Sequence, residues 1–483
     1  MRMDYEVVIG LEIHSELKTK TKIFCGCENE FGAEPNTHTC PICLGMPGTL
    51  PVLNETAVLY AVRAGLAMNC KISAFSKLDR KNYFYPDLPK AYQISQYDLP
   101  LCYDGYVDIE VGEETRRIGI ERIHLEEDAG KLIHDPYAQG TLIDYNRCGV
   151  PLIEIVTRPD VRSPEEARLL LETVKAILEY TEVSDCRMQE GSIRADVNLS
   201  LRPRGQEKLG TRTEMKNINS LRAVQRAGES EVRRQSAILD KGGSITQETR
   251  RWDDSKSESY SMRSKEEAMD YRYFPEPDLV PVVLEADWIE GVRNALPELP
   301  ASRKERYIAQ LGIPKYDAAL ITASKRISDL FEQAAQISEN PKTTSNWIMT
   351  DLMRRINDKG EDAVLDGALN GQTLGKTLSY LEKGEITQAS AKKVIDQVLE
   401  TGEEPETIIE KQGLKVQRDE GLVLEAVKGV LTNNPQAVAD YAAGKEKAFG
   451  FVMGKVMALL KGKGDPGQVR SILKEELDKA KLQ

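Results

Sequence analysis

A chain of 483 residues exceeds what one ordinary hydrophobic core supports, so about two to four domains are expected. With 40% hydrophobic and 29% charged residues it is neither disordered nor fibrous, and it has no apolar run of roughly 18 residues to span a membrane. The net charge of -12 argues against a protein that coats nucleic acid non-specifically, because phosphate binding needs local positive potential.

The N-terminus, MRMDYEVVIGLEI, runs from Met into a strand pattern without a signal core or an Arg/Ser-rich leader, which predicts a cytoplasmic protein with no membrane partner. From Tyr5 to His14 the residues alternate, continuing to Glu16 if the strand runs that far. Tyr5, Val7, Ile9, Leu11 and Ile13 share one face, so Glu12 and His14 project together from the other.

Next come four clustered cysteines. Cys25, Cys27, Cys40 and Cys43 are spaced C-x-C-x12-C-x2-C, two close pairs joined by a loop. That spacing suits a structural, tetrahedral Zn2+ with no open position for catalysis. His38 is a possible substitute ligand. The other cysteines (Cys70, Cys102, Cys148 and Cys186) are scattered and read as reduced thiols.

Residues 78 to 90 mix basic and aromatic side chains densely. His124 to Asp128 packs three carboxylates behind one histidine, and Glu154 stands in the apolar run Pro-Leu-Ile-Glu-Ile-Val. A carboxylate in a buried strand is costly unless paired or coordinated. Oxygen ligands with one imidazole fit a hard cation such as Mg2+; the alternative is a set of solvated carboxylates paired with Arg. Residues 140 to 157 suggest a strand pair, with Asn146-Arg147-Cys148-Gly149 supplying the turn.

A helix is predicted from Ser163 to Thr181, with Ser163 as N-cap, Pro164 at the first helical position and Glu166 completing a capping box. Alternation puts Arg194, Asp196 and Asn198 on one strand face, and Arg212, Glu214 and Lys216 on another. Such a surface can bind nucleotide phosphate and metal together. A second helix is expected over 219–239, ending at Lys241-Gly242-Gly243.

After Pro300 there is no His or Cys and helical spacing dominates, with helices expected over 318–337, 344–356, 389–399 and 423–431 and a linker at 402–405. From Lys445 onward nine Lys/Arg stand against five Asp/Glu, a locally positive tail or a solvated helix face. The segment Gly371 to Thr377 resembles a phosphate-binding loop but has three residues between its glycines where four are required, and no strand precedes it. It is rejected.

Long motifs then carry a resemblance. VIGLEIHSE, FCGCENEFGAEPNTHTCPICLGMPGTLPVLN, KNYFYPDLPKAYQISQYD, HLEEDAGK, DYNRCGVPLIEIVT, EMKNINS and DYRYFPEPDL resemble the B subunit of aspartyl/glutamyl-tRNA amidotransferase. The tail NPQAVADYAAGKEKAFGFVMGKVM resembles that family's tRNA-contacting module. The resemblance implies ATP-dependent phosphorylation of the side-chain carboxylate of Glu-tRNA(Gln) or Asp-tRNA(Asn). Amidation then uses ammonia from the glutaminase A subunit, which the small C subunit encircles.

By the resemblance, Glu12, His14, Glu127 and Glu154 are expected at Mg2+, with Glu126 nearby. Arg194, Asp196, Glu214 and Lys216 are expected on the ATP side, and Lys81, Tyr83, Lys90 and Asp278 along the ammonia route. The expected architecture is α+β. A strand-rich catalytic domain (1–295, zinc loop 25–43) precedes two all-helical domains at 296–405 and 408–483. The alternative function is a non-catalytic, zinc-containing scaffold that binds tRNA. A free-standing metal hydrolase is a third reading, and the chain carries no Ser/Lys motif for amide cleavage.

Overall fold

Tyr5–Glu16 is a single strand in the computed structural model of the chain, which describes residues 4–134, 140–264, 270–416, 420–460 and 464–481. Ile9, Leu11 and Ile13 are at most 1% exposed. Burying each such side chain contributes roughly 1.5–3 kcal/mol. A one-residue slip would bring Glu12 and His14 into the core instead, so the apolar face fixes the register.

This strand lies at the middle of a nine-stranded sheet. On one side follow Ile193–Pro203, Thr213–Ile218, Glu248–Asp253 and Glu258–Ser264; on the other follow Pro151–Thr157, Glu114–Glu127, Cys102–Val111 and Lys71–Ile72. Neighbours are antiparallel except Thr213–Ile218 and Glu248–Asp253, which are parallel and joined by the helix Leu221–Leu239. That helix, Glu55–Ala67 and Pro164–Tyr180 share a core with Ile9, Leu11 and Ile13. Helices therefore cover one face of the sheet, and the polar side chains of its middle strands leave from the opposite face. A three-stranded sheet of Phe274–Pro275, Asp79–Asn82 and Tyr92–Ser95 belongs to the same unit, residues 1–300.

Two local expectations are corrected. Thr141–Asp144 pairs with Lys131–His134, whereas Pro151–Thr157 pairs with Tyr5–Glu16 and Glu114–Glu127. The residues between them do turn, with Gly149 at φ +78, but they lead from one sheet to another. Turn chemistry specifies a reversal, not the partners of the flanking strands. The capping box at Ser163 is half formed. Ser163 accepts the Glu166 N–H, while the Glu166 carboxylate takes the Arg162 N–H at 2.8 Å and pairs with Arg116 at 3.1 Å.

Residues 301–483 form a second, helical unit. The run predicted over 318–337 is two helices, Lys315–Thr322 and Lys325–Ser338, because Ser324 is extended and caps the Ile327 N–H. The run over 344–356 is Pro341–Trp347, a π turn at Ile348–Leu352, and Met353–Lys359. Gln388–Thr401 and Glu420–Asn433 contain the other two predicted helices. Gly402, in the left-handed region, ends one helix and Pro405 opens the next. Two hydrophobic clusters occupy this unit, one including Tyr307, Phe331, Trp347 and Leu414, the other Val423, Val452, Val469 and Leu477. The rejected phosphate-loop segment opens the helix Gly371–Glu382, capped by Asn370 and Thr373.

No described helix is long and apolar enough to cross a membrane. Residues 1–3 of the N-terminal reading, and Lys461 and Lys463 of the basic tail, lie outside the described residues.

Candidate active site

Strand register assembles the site. His14 faces Glu154 on one neighbouring strand and Arg194 on the other, and Glu154 in turn faces His124. Glu126, two residues beyond His124, is on the same face. His14 Nε2 is 3.6 Å from Glu154 and 3.9 Å from Glu126; His124 Nε2 is 3.0 Å from Glu154 and 3.6 Å from Glu126. Ser95 Oγ donates to Glu126 at 3.0 Å. Burial opposes charge on His124, but Glu126 and Glu154 outweigh it and raise its pKa to about 9. Burial would raise the Glu154 pKa; His124 and His14 reverse this and hold it well below the usual carboxylate range.

One step along the face, Glu12 stands opposite Asp196, and Asn198 stands opposite Glu214. Lys216 bridges Asp196 at 2.7 Å and Glu214 at 3.1 Å, Thr249 donates to Glu214 at 2.7 Å, and Asn198 Nδ2 donates to Glu12 at 3.0 Å. Burial, with Glu154, Glu214 and Asp196 nearby, raises the Glu12 pKa.

Ligand atoms of Glu12, Asp196 and Glu214 lie within 4.8 Å of one another, as do those of His14, Glu126 and Glu154. Three carboxylates against one lysine, with the Asn198 oxygen buried and unpartnered among the described residues, fit an oxygen-preferring divalent cation. Arg194 pairs with Asp128 at 2.8 Å, where Arg147 also approaches at 3.4 Å. Glu16 is in the same group; burial and the Asp128 charge raise its pKa to about 8.

Glu127 is not with Glu12, His14 and Glu154. It follows Leu125 onto the other face of the strand, accepts the Ile94 N–H at 2.8 Å and binds Lys90 at 2.7 Å. Lys90, Glu127 and Asp278 line a cavity of about 180 Å³ together with Cys25 and Cys43. Lys81 is on the acidic side, above the rings of Tyr271 (5.0 Å) and Tyr83 (5.9 Å). Burial opposes its charge, but Glu126 and other neighbours raise its pKa. Burial also raises the Tyr83 pKa.

The sulfur atoms of Cys25, Cys27, Cys40 and Cys43 lie within 4.8 Å of one another. The Cys40 N–H donates to Cys43 Sγ at 3.1 Å, while Leu44 and Gly45 N–H groups close the turn on Cys40 and Ile42. A hydrogen bond from Cys25 lowers the Cys43 pKa to about 5. Four convergent sulfurs fit tetrahedral zinc. His38 lies instead beside Glu28, at 3.6 Å.

Sequence reasoning marked the segment holding His124 and Asp128, and the face that continues to Glu16, without giving these residues a role, and it did not select Ser95. Which of them meet depends on cross-strand register, and Ser95 comes from a second sheet.

A family model described as the GatB/GatE catalytic domain matches residues 7–290, and one described as the GatB domain matches residues 329–477. The chain is 59% identical over 479 residues to the B subunit of the aspartyl/glutamyl-tRNA(Asn/Gln) amidotransferase of Caldicellulosiruptor bescii, covering 99% of this chain and 100% of that protein. The proteins of the same name are 56% identical in Thermoanaerobacter sp. strain X514 (99% and 100% covered) and 53% identical in Brevibacillus brevis (98% and 99% covered).

Proposed function

The chain belongs to the family of aspartyl/glutamyl-tRNA(Asn/Gln) amidotransferase B subunits, and from that membership we propose that it activates the side-chain carboxylate of misacylated Glu-tRNA(Gln), Asp-tRNA(Asn) or both with ATP. It is one subunit of a glutamine-dependent aminoacyl-tRNA amidotransferase. A substrate carboxylate oxygen attacks the γ-phosphorus as the bond to ADP breaks, giving an acyl phosphate. Ammonia then attacks the acyl carbon and inorganic phosphate leaves. The partners are the glutaminase A subunit, the small C subunit and the tRNA, in the cytoplasm.

The observation that carries this reading is the juxtaposition of two acid clusters on one sheet face, with Lys216 between Asp196 and Glu214. Phosphoryl transfer needs positioning and charge stabilisation more than covalent help from the protein. Magnesium held by His14, Glu126 and Glu154, or by Glu12, Asp196 and Glu214, would supply charge neutralisation for the phosphates. Ser95 and Asn198 hold Glu126 and Glu12 in place, and His124 orients Glu154. Lys216 and Arg194 supply positive charge on the ATP side. Lys81, Tyr83, Lys90, Glu127 and Asp278 form the ammonia route, with zinc on the four cysteines fixing one wall of its cavity. Residues 1–295 are the catalytic domain, 296–405 a helical middle domain, and 408–483 the helical tail domain that contacts the tRNA.

The test is reconstitution with the A and C subunits, glutamine, Mg2+, ATP and Glu-tRNA(Gln). Glu154→Gln should abolish Gln-tRNA(Gln) formation and tRNA-dependent ATP consumption, leaving glutaminase activity and tRNA binding intact. Wild-type turnover by this variant would instead favour the scaffold reading.

A further inference from the structure

Lys22 is a fully enclosed charged residue of the first unit. Its side chain is 0% exposed, among the largest fully buried side chains of the chain. An enclosed ammonium ordinarily faces a carboxylate, because an unpaired buried charge carries a heavy desolvation cost. Among the described residues Lys22 makes no ion pair with one. Its Nζ is 3.8 Å from Cys43 Sγ and donates to the Tyr145 carbonyl at 3.5 Å.

Its surroundings close it in from three segments. Its own N–H bonds the Cys27 carbonyl at 3.0 Å, and the next N–H, of Ile23, bonds Gly149 at 2.8 Å. Gly149, at φ +78, passes so near that a Cβ there would be 3.7 Å from Lys22 Cδ. Cys43 Sγ therefore meets two donors, the Cys40 N–H and the Lys22 ammonium, and lies 3.4 Å from the Cys40 carbonyl oxygen. Converging donors suit a metal-bound thiolate.

We propose that Lys22 is the buried counter-cation of a tetrathiolate metal centre on Cys25, Cys27, Cys40 and Cys43, and that it protects Cys43 from electrophiles and the metal from loss. The inference rests on the zinc reading above. Four thiolates around a divalent ion carry two net negative charges, and a single ammonium inside the same enclosure halves them. A positive charge beside the sulfur also lowers its lone-pair energy and with it the thiolate's nucleophilicity. Lys22 touches no substrate; it is a positioning residue acting through the sulfur.

The test compares the full-length chain with Lys22→Met, which keeps the volume, and Lys22→Gln, which keeps a donor without the charge. Metal content, zinc transfer to a chromogenic chelator in the presence of a thiol-alkylating agent, and the sulfur-to-cobalt charge-transfer band of the cobalt-loaded protein are measured. Both variants should take up one metal per chain and release it about 10-fold faster, the typical reach of a group that supports a ligand. Their cobalt band should move to longer wavelength. Unchanged release and band position in whichever variant folds would overturn the role of Lys22 alone. A wild-type chain that takes up neither zinc nor cobalt would overturn the tetrathiolate reading and this inference with it.

Discussion

Glu126 and Glu127 are consecutive, both almost fully buried, and serve different sites. Glu126 faces His14, His124 and Ser95, while Glu127 faces Lys90 and the Ile94 N–H. The alternation of an extended strand separates them without any intervening residue. A carboxylate pair that reads as one acidic patch in sequence is thus divided between the face that carries His14 and Glu154 and the cavity beside the four cysteines.

Neutralising each should therefore fail differently. Glu126→Gln is expected to lose amide formation at least 100-fold (about 2.7 kcal/mol) with either glutamine or ammonium chloride as nitrogen source. Glu127→Gln leaves Lys90 without its partner in the cavity and should lose mainly the glutamine-driven reaction, with ammonium partly restoring it. Measuring Gln-tRNA(Gln) with both nitrogen sources decides the matter, and identical profiles for the two variants would refute the division.

The two histidines around Glu154 set a pH dependence. The folded pKa of His124, raised to about 9 from 6.5, makes its contribution complete below pH 6.5 and lost as pH rises through 9. Glu154 is depressed, so its part is present above about pH 4.5 and lost on acidification through its folded pKa. In magnesium-free buffer wild type should lose on the order of 1–3 kcal/mol between pH 6.5 and 9 from this source. His124→Gln should show a flatter Tm profile over that interval. Parallel profiles would mean that His124 is not charged in the folded chain.

What the sequence made legible was what is local. The face shared by Glu12 and His14 followed from alternation, and four cysteines at metal-ligand spacing announced their own convergence. The cap at Ser163 was readable as well. Cross-strand partners were not, because register depends on which strands meet: nothing near Glu154 says that His14 and His124 flank it. The same blindness produced the expected pairing within residues 140–157. Glu166 illustrates a smaller version, since its spacing suits a capping box but Arg116 and the Arg162 N–H compete for the same carboxylate. The family resemblance reached further than geometry here, grouping Glu127 with the acidic residues while the strand turns it away.

Gly375 gives a test that separates packing from phosphate binding. Gly371 and Gly375 lie one helical turn apart on Gly371–Glu382, against Lys325–Ser338. A Cβ at Gly375 would be 2.8 Å from Ile337 Cβ and 3.0 Å from the Ala334 Cα and carbonyl oxygen; at Gly371 it would be 2.6 Å from Gln333 Cβ. Backbone atoms cannot yield as a flexible side-chain end can, so the helices must separate. Overpacking of this kind costs typically ~1–3 kcal/mol. Replacing glycine by alanine inside a helix recovers only about 1 kcal/mol through propensity. Gly375→Ala should therefore lower the Tm of the helical unit while leaving ATP-dependent amidation unchanged at a permissive temperature. Lost ATP affinity with unaltered stability would revive the phosphate-loop reading of this segment.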